Sequence, residues 1–273
     1  MVDPFVSIII PAFNSERTIE QCLQSVKDQT YPNIEVLVID NYSTDSTVEI
    51  AEGFNTNVLC RRCERSEAKN YGATRAQGFF VFLLDSDQEL TSNVVRKCVT
   101  VCLSESADAV IIPEESVANG FLSECRKIEK DLHMKDELFE APRFFRRAIF
   151  QEIGGYDAKL GFGEDSDLYG RITEAGFRTR RVSARTMHNE GELSMKRIVV
   201  KAYYYGRSFP TFAKKNPSLA RKKHFPVPTK YLPNIRALLR DPIHFIGLIL
   251  MKTVEYEAYI IGIIEHSVHR DKG

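Results

Sequence analysis

No apolar stretch in these 273 residues looks long enough to cross a bilayer. The most apolar late segment, residues 243–254, is broken by Lys252 and followed by Glu255 and Glu257. At ~1.5 Å per helical residue it covers about 18 Å, against a hydrocarbon core of ~30 Å. A secretory leader is missing as well, because Asp3 and Pro4 interrupt the first residues and the apolar run at 6–10 is only a strand's length. The expectation is therefore a chain facing the cytoplasm. The six cysteines are scattered, and the lone Cys60-x-x-Cys63 has no second Cys or His pair at zinc-ligand spacing. That argues against a structural zinc and for a reduced compartment. Internal repeats and low-complexity segments are absent. Net charge is absent too, with 37 basic and 37 acidic side chains, but the balance hides an asymmetry. Residues 1–192 carry 22 Lys/Arg against 32 Asp/Glu, whereas residues 193–273 carry 15 against 5.

The first 113 residues alternate short β-branched or aromatic runs with amphipathic stretches. Residues 6–10, 35–39, 79–84 and 109–112 read as buried strands. Residues 15–29, 45–51 and 66–76 read as helices between them, the first with Ile19, Cys22, Leu23 and Val26 at helical spacing and Pro32 beyond its end. Strand, helix, strand order predicts an α/β fold with a mostly parallel sheet flanked by helices. Ligands in such sheets bind at the carboxyl ends of the strands. Pro11 to Asn14, Asp40 to Ser43, and Asp85-Ser86-Asp87 should then meet at one edge. Beyond Pro113 the pattern loosens into an expected acceptor-side half over 114–192, with a helix at 120–132, a strand at 143–146, a helix around 147–153 and a strand at 178–182. A basic and then apolar helical extension occupies 193–273, and Pro226, Pro228 and Pro233 predict a loop before its terminal helices.

Several carboxylates stand where chemistry would need them. Asp85 and Asp87 follow the run Phe79 to Leu84, which would thrust both from a strand end into a pocket. Hard divalent cations take such oxygen ligands and complete their shell with water and phosphate. A polar turn capping a helix near Thr91 is the plainer alternative. Asp40 is either a helix cap or a hydrogen-bonding group for a base or ribose. Lys69 either neutralises a phosphate or is a solvated helix charge. Gly154 and Gly155 precede a second glycine-rich segment that leads into Glu164 and Asp165 at a predicted helix start. Those carboxylates either stabilise the helix terminus or supply a general base. His188 is either structural or a third metal ligand.

The arrangement as a whole resembles glycosyltransferase family 2, with its GT-A, Rossmann-like fold. The resemblance runs in order from Val6-Ser-Ile-Ile-Ile-Pro11 and Asn14 through Ile39-Asp-Asn-Tyr-Ser-Thr-Asp-Ser-Thr47, Ala68-Lys-Asn-Tyr-Gly72, Asp85-Ser-Asp87 and Gly154-Gly-Tyr-Asp157 to Glu164-Asp165. It implies a nucleotide-binding edge formed by Pro11, Phe13, Asn14, Asp40, Lys69, Asp85 and Ser86. It implies Mn²⁺ or Mg²⁺ held by Asp87 and His188, an acceptor-side loop at Gly155 and Glu164, and Asp165 as catalytic base. The implied reaction is a single displacement at the anomeric carbon of a nucleotide-sugar, UDP-linked or GDP-linked, with inversion. Tyr42 stands where the family has glycine, and Lys69 where it commonly has arginine.

From 196 to 240 there are twelve basic residues and no acidic one. Tyr203, Tyr204 and Tyr205 lie among them, but nothing beside them resembles a base-reading module, so nucleic acid is not the expected partner. Basic charge next to an apolar segment implies peripheral membrane contact through 193–265, with a glycan or polyprenyl-lipid acceptor. Packing on the catalytic domain or a homodimer contact is the alternative. Two other functions compete with this one. A nucleotidyltransferase would want a glycine-rich basic loop after the first strand, which Pro11 to Glu16 is not. A non-catalytic binding module that has kept the fold would be insensitive to loss of Asp165.

Overall fold

The computed structural model describes residues 3–133, 140–189, 193–224 and 234–270. The predicted loop at Pro226, Pro228 and Pro233 lies outside them. Two compact units share the chain. The first comprises Met1–Glu115, Ala141–Ala158 and Asp167–Asn189, and the second Ser116–Glu140, Lys159–Ser166 and Glu190–Gly273. Ser116–Glu140 and Lys159–Ser166 thus group with the C-terminal helices.

The first unit is built on a seven-stranded sheet in the order β3-β2-β1-β4-β8-β6-β9. Its strands are β1 (Val6–Ala12), β2 (Ile34–Asp40), β3 (Asn57–Cys60), β4 (Phe80–Leu83), β6 (Ala109–Ile111), β8 (Phe144–Arg146) and β9 (Thr179–Arg181). The pairs β1 with β2, β1 with β4, β2 with β3 and β6 with β9 are parallel, whereas β8 is antiparallel to both neighbours. The continuous apolar runs follow from burial on both faces. Ile8 and Ile10 pack with Leu23, Val26 and Phe82 on one side, and Ile9 packs with Ala68, Leu83 and Phe145 on the other. Gly72 is required for this second contact, because a Cβ there would collide with Ile9. The helices α1 (Ile19–Lys27), α2 (Thr47–Gly53), α3 (Arg65–Arg75), α4 (Val94–Ser104) and α6 (Arg147–Glu152) connect the strands. A three-stranded sheet orders β5 (Gln88–Leu90), β10 (Thr186–Asn189) and β7 (Glu114–Val117) with β10 in the middle.

In the second unit, α5 (Phe121–Leu132), α8 (Met195–Lys215) and the 29-residue α11 (Pro242–Arg270) hold most of the apolar contacts. The short helices α9 (Pro217–His224) and α10 (Ile235–Leu238) lie between the last two in sequence. Ile198 clusters with Cys125, Leu248 and Met251. Eight residues further along α8, Gly206 lies against the Tyr259 backbone, so α8 and α11 run in the same direction. Gly206 and Gly262 permit a backbone-to-backbone approach that any side chain at either position would block. The apolar residues expected to form terminal helices thus belong to one continuous helix.

Candidate active site

Strand β4 leads into Asp85 and Asp87, and the two carboxylates have different surroundings. Asp85 turns inward. Its Oδ1 lies 2.8 Å from Lys69 Nζ, and its Oδ2 lies 2.9 Å from Arg143 Nη1 and 3.9 Å from Arg65. The Lys69 side chain is 3% exposed and that of Asp85 13%. Burial opposes the Asp85 charge, but Lys69, Arg143 and Arg65 outweigh it and hold the carboxyl well below its ordinary range. Lys69, Arg143 and Arg65 thus converge at this strand end, where cationic groups favour a polyanionic ligand.

Asp87, with 45% of its side chain exposed, meets His188 of β10, whose Nε2 is 3.2 Å from Asp87 Oδ2. The pairing of β10 with β5 puts His188 opposite Gln88, and Asn189 N donates to Asp87 O. On the other side of the ring, Nδ1 is 2.7 Å from Glu114 Oε1, and Gln88 Nε2 donates to Glu114 Oε2 at 2.8 Å. Burial pushes the imidazole toward neutrality, but the hydrogen bonds to Asp87 and Glu114 prevail and raise its pKa to about 10. A carboxylate on Nδ1 is the arrangement that directs Nε2 toward a metal. Among the described residues no cluster of three His, Cys, Asp or Glu side chains has metal-holding geometry. A cation held by Asp87 and His188 would therefore need phosphate and water to complete its shell.

The loops after β1, β2 and β4 are knitted together at the same edge. Asn14 N donates to Ser43 Oγ and Thr44 N to Asn14 Oδ1, each at 2.9 Å, and the Ser15 and Ser86 hydroxyls are 2.9 Å apart. Asp40 is buried and accepts from both the backbone and the hydroxyl of Ser43, so its carboxylate anchors this turn. Tyr42, at the expected glycine position, adopts φ +57°, a left-handed conformation uncommon for a bulky side chain. Pro11 is buried within β1, whereas Phe13 and Tyr42 present exposed rings, with the Arg62 guanidinium 5.7 Å from the Tyr42 ring.

On α3, capped by the reciprocal pair Glu64 and Glu67, Lys69 faces Asp85 while Asn70 grips the Gly154–Gly155 turn. Asn70 donates to Tyr156 O and accepts from Tyr156 N, each at 2.8 Å. Gly155 has φ +63°, and a Cβ there would strike Asn70. Its role in the first unit is thus to let this clamp close.

Glu164 and Asp165, half-buried, open α7 (Glu164–Glu174). The segment leading to them packs within the second unit, where Leu160 and Phe162 join Phe209 and Phe212. Gly161 lies against Tyr204 and Ser208, and Gly163, at φ +73°, lies against the Phe212 ring. Asp167, one turn later in sequence and part of the first unit, is buried and paired with Arg171 at 2.9 Å, which fixes it in a structural role.

The first unit therefore gathers Asn14, Asp40, Lys69, Asp85, Ser86, Asp87 and His188. Arg65, Arg143, Gln88 and Glu114 were not anticipated. Arg143 is brought in by the antiparallel pairing of β8 with β4, which no local sequence signal announces. Glu114 directly follows the buried strand β6 and Pro113, the same strand-end signature that singled out Asp85.

A model of the family described as Glycosyl transferase family 2 matches residues 7–152. The glycosyltransferase AglE of Haloferax volcanii is 29% identical over 191 residues, 64% of this chain and 63% of that protein. A chondroitin synthase of Pasteurella multocida is 26% identical over 63% of this chain but only 19% of its own length. The chain thus spans less than two thirds of the length of these curated relatives. Among solved structures, the mannosyltransferase PcManGT from Pyrobaculum calidifontis, in complex with GDP-Man and Mn²⁺, superposes with a TM-score of 0.66 at 19% identity, covering 97% of this chain and 88% of that one. S. aureus TarS 1-349 in complex with UDP-GlcNAc gives 0.58 at 17% identity, covering 97% and 92%. At such identities the likeness establishes a GT-A fold.

Proposed function

The chain belongs to glycosyl transferase family 2, and on that premise we propose that it moves a sugar from a UDP-sugar to a hydroxyl or phosphate acceptor, with inversion at the anomeric carbon. The observation that carries this reading is the division of labour between the two carboxylates after β4. Asp85 gathers Lys69, Arg143 and Arg65 at the strand end, and cationic groups so placed suit a diphosphate. Asp87 and His188 would supply oxygen and nitrogen donors to a divalent cation, with Glu114 fixing the ring. When bound, that cation would stabilise negative charge on the departing nucleoside diphosphate. Phe13 and Tyr42, exposed at the ends of β1 and β2, offer apolar faces for the base. Two structural neighbours carry donors of this class, UDP-GlcNAc in TarS and GDP-Man with Mn²⁺ in PcManGT.

Chemistry requires that the acceptor lose a proton as its oxygen bonds to the anomeric carbon and the sugar–diphosphate bond breaks. In this proposal the Asp165 carboxylate at the start of α7 takes that proton. The test is release of nucleoside diphosphate from a panel of UDP-, GDP- and dTDP-sugars in the presence of Mn²⁺. Asp165→Asn should lower turnover by roughly 10²–10⁴ while donor affinity is retained. Unchanged turnover would remove Asp165 from the mechanism, and no release from any donor would favour a non-catalytic binding module.

A further inference from the structure

Helix α11 carries aliphatic side chains on a face that no other part of the described structure covers. Ile243, Ile246, Leu250, Ile261, Ile264 and Val268 are all exposed, Ile243 at 68% and Leu250 at 63%. Their spacing of three and four residues within each half puts them along one side of the helix. The opposite side is spent on packing, since Leu248, Met251 and Ala258 are buried. From Ile243 to Val268 the helix runs about 38 Å, with exposed Thr253 and Glu257 separating two aliphatic patches. No described helix is long and apolar enough to cross a membrane.

Charge lies beside the first patch. Arg236 and Arg240 are exposed just before α11 begins, within about two helical turns of Ile243 in sequence. The acidic Glu129 and Glu255 nearby are already committed to Arg126 and Lys252. Asp241, at the start of α11, is paired with His244 at 2.7 Å.

We propose that this face of α11 docks flat on an anionic lipid surface, with the aliphatic residues entering the headgroup–acyl boundary and Arg236 and Arg240 engaging lipid phosphates. Aliphatic insertion flanked by cations is what holds an in-plane helix at a bilayer. A second copy of the chain fits the same face less well. An antiparallel pairing of two α11 helices would bury Glu257 near the centre, close to its twin. Docking goes beyond the transferase reading, since it needs neither donor nor turnover.

The experiment is sedimentation of the full chain with vesicles of 30% phosphatidylglycerol in phosphatidylcholine and with pure phosphatidylcholine, at about 50 and 500 mM salt. Light scattering of the vesicle-free protein runs in parallel. The expected result is binding to the anionic vesicles that weakens at least tenfold at high salt and on pure phosphatidylcholine. Ile246→Asp with Leu250→Asp, both at exposed positions and checked by circular dichroism, should lower binding at least tenfold. Arg236→Glu with Arg240→Glu should do so at low salt only. A wild type that stays in the supernatant with both vesicle types overturns the proposal. So does binding indifferent to the Ile246 and Leu250 substitutions, or a stable dimer that those substitutions dissociate and that binds no vesicles.

Discussion

Lys69→Met retains most of the aliphatic volume of a buried side chain but removes its charge from Asp85. Breaking one side of a buried ion pair costs roughly 3–5 kcal/mol when nothing else compensates. Here Arg143 remains at 2.9 Å and Arg65 at 3.9 Å, so the expected loss is about 2–3 kcal/mol. Asp85→Asn removes the other partner, and the double variant should be less unstable than the two single losses combined, with a coupling of about 1.5–2.5 kcal/mol. Urea unfolding at pH 7 followed by circular dichroism measures all four corners of the cycle. The pH dependence has a definite sign. Because the Asp85 pKa is depressed in the folded chain, its contribution is complete above the unfolded value of about 4 and is lost only as pH falls through the lower folded value. The coupling at pH 5 should therefore equal that at pH 7. A coupling below about 0.5 kcal/mol would show that the pair behaves like a hydrated surface contact and would refute the buried-anchor argument.

Other outcomes follow from neighbouring contacts. Glu114→Gln weakens the group that fixes His188 Nδ1 and should reduce Mn²⁺ affinity in the presence of nucleotide by about 10–100-fold, read by the electron paramagnetic resonance of free Mn²⁺. Gly206→Val would drive a side chain into the Tyr259 backbone and should cost about 3 kcal/mol or more, visible as a lowered unfolding midpoint. Glu129 is buried, which disfavours its charge, but Lys252 and Arg126 prevail and lower its pKa. Its stabilisation is therefore present above pH about 4.3 and lost as pH falls through the folded value. Glu129→Gln should then cost most near neutrality, and its deficit relative to wild type should shrink toward pH 3 in paired denaturation curves.

What could be read from the sequence depended on whether local pattern or long-range pairing set each feature. Strands β1, β2 and β4 were legible because burial on both faces demands unbroken apolar runs. Asn57–Cys60 forms an edge strand with partly exposed residues, and β5, β7 and β10 are short and polar, so none carries such a run. Residues 15–18 fall within the helix expected over 15–29. They form instead the turn before α1, with Ser15 N bonded to Thr47 Oγ1 and its hydroxyl beside Ser86, contacts that no helical periodicity encodes. The Asp85 and Asp87 spacing was evident, but the different environments of the two carboxylates were not. The cations that claim Asp85 come from positions 65, 69 and 143, and only the antiparallel insertion of β8 brings the last of them close. The second unit was hidden for the same reason, since residues 159–166 are held by contacts with α8 that lie some forty residues away in sequence.

The most direct test of the central claim is isothermal titration of the wild type and of Asp87→Ala with UDP, GDP and dTDP, each with and without Mn²⁺. The account predicts that UDP binds at least tenfold more tightly with Mn²⁺ and that Asp87→Ala removes the metal-dependent increment while leaving the fold intact. Binding of UDP that ignores both Mn²⁺ and Asp87, or no binding of any nucleotide, would contradict it.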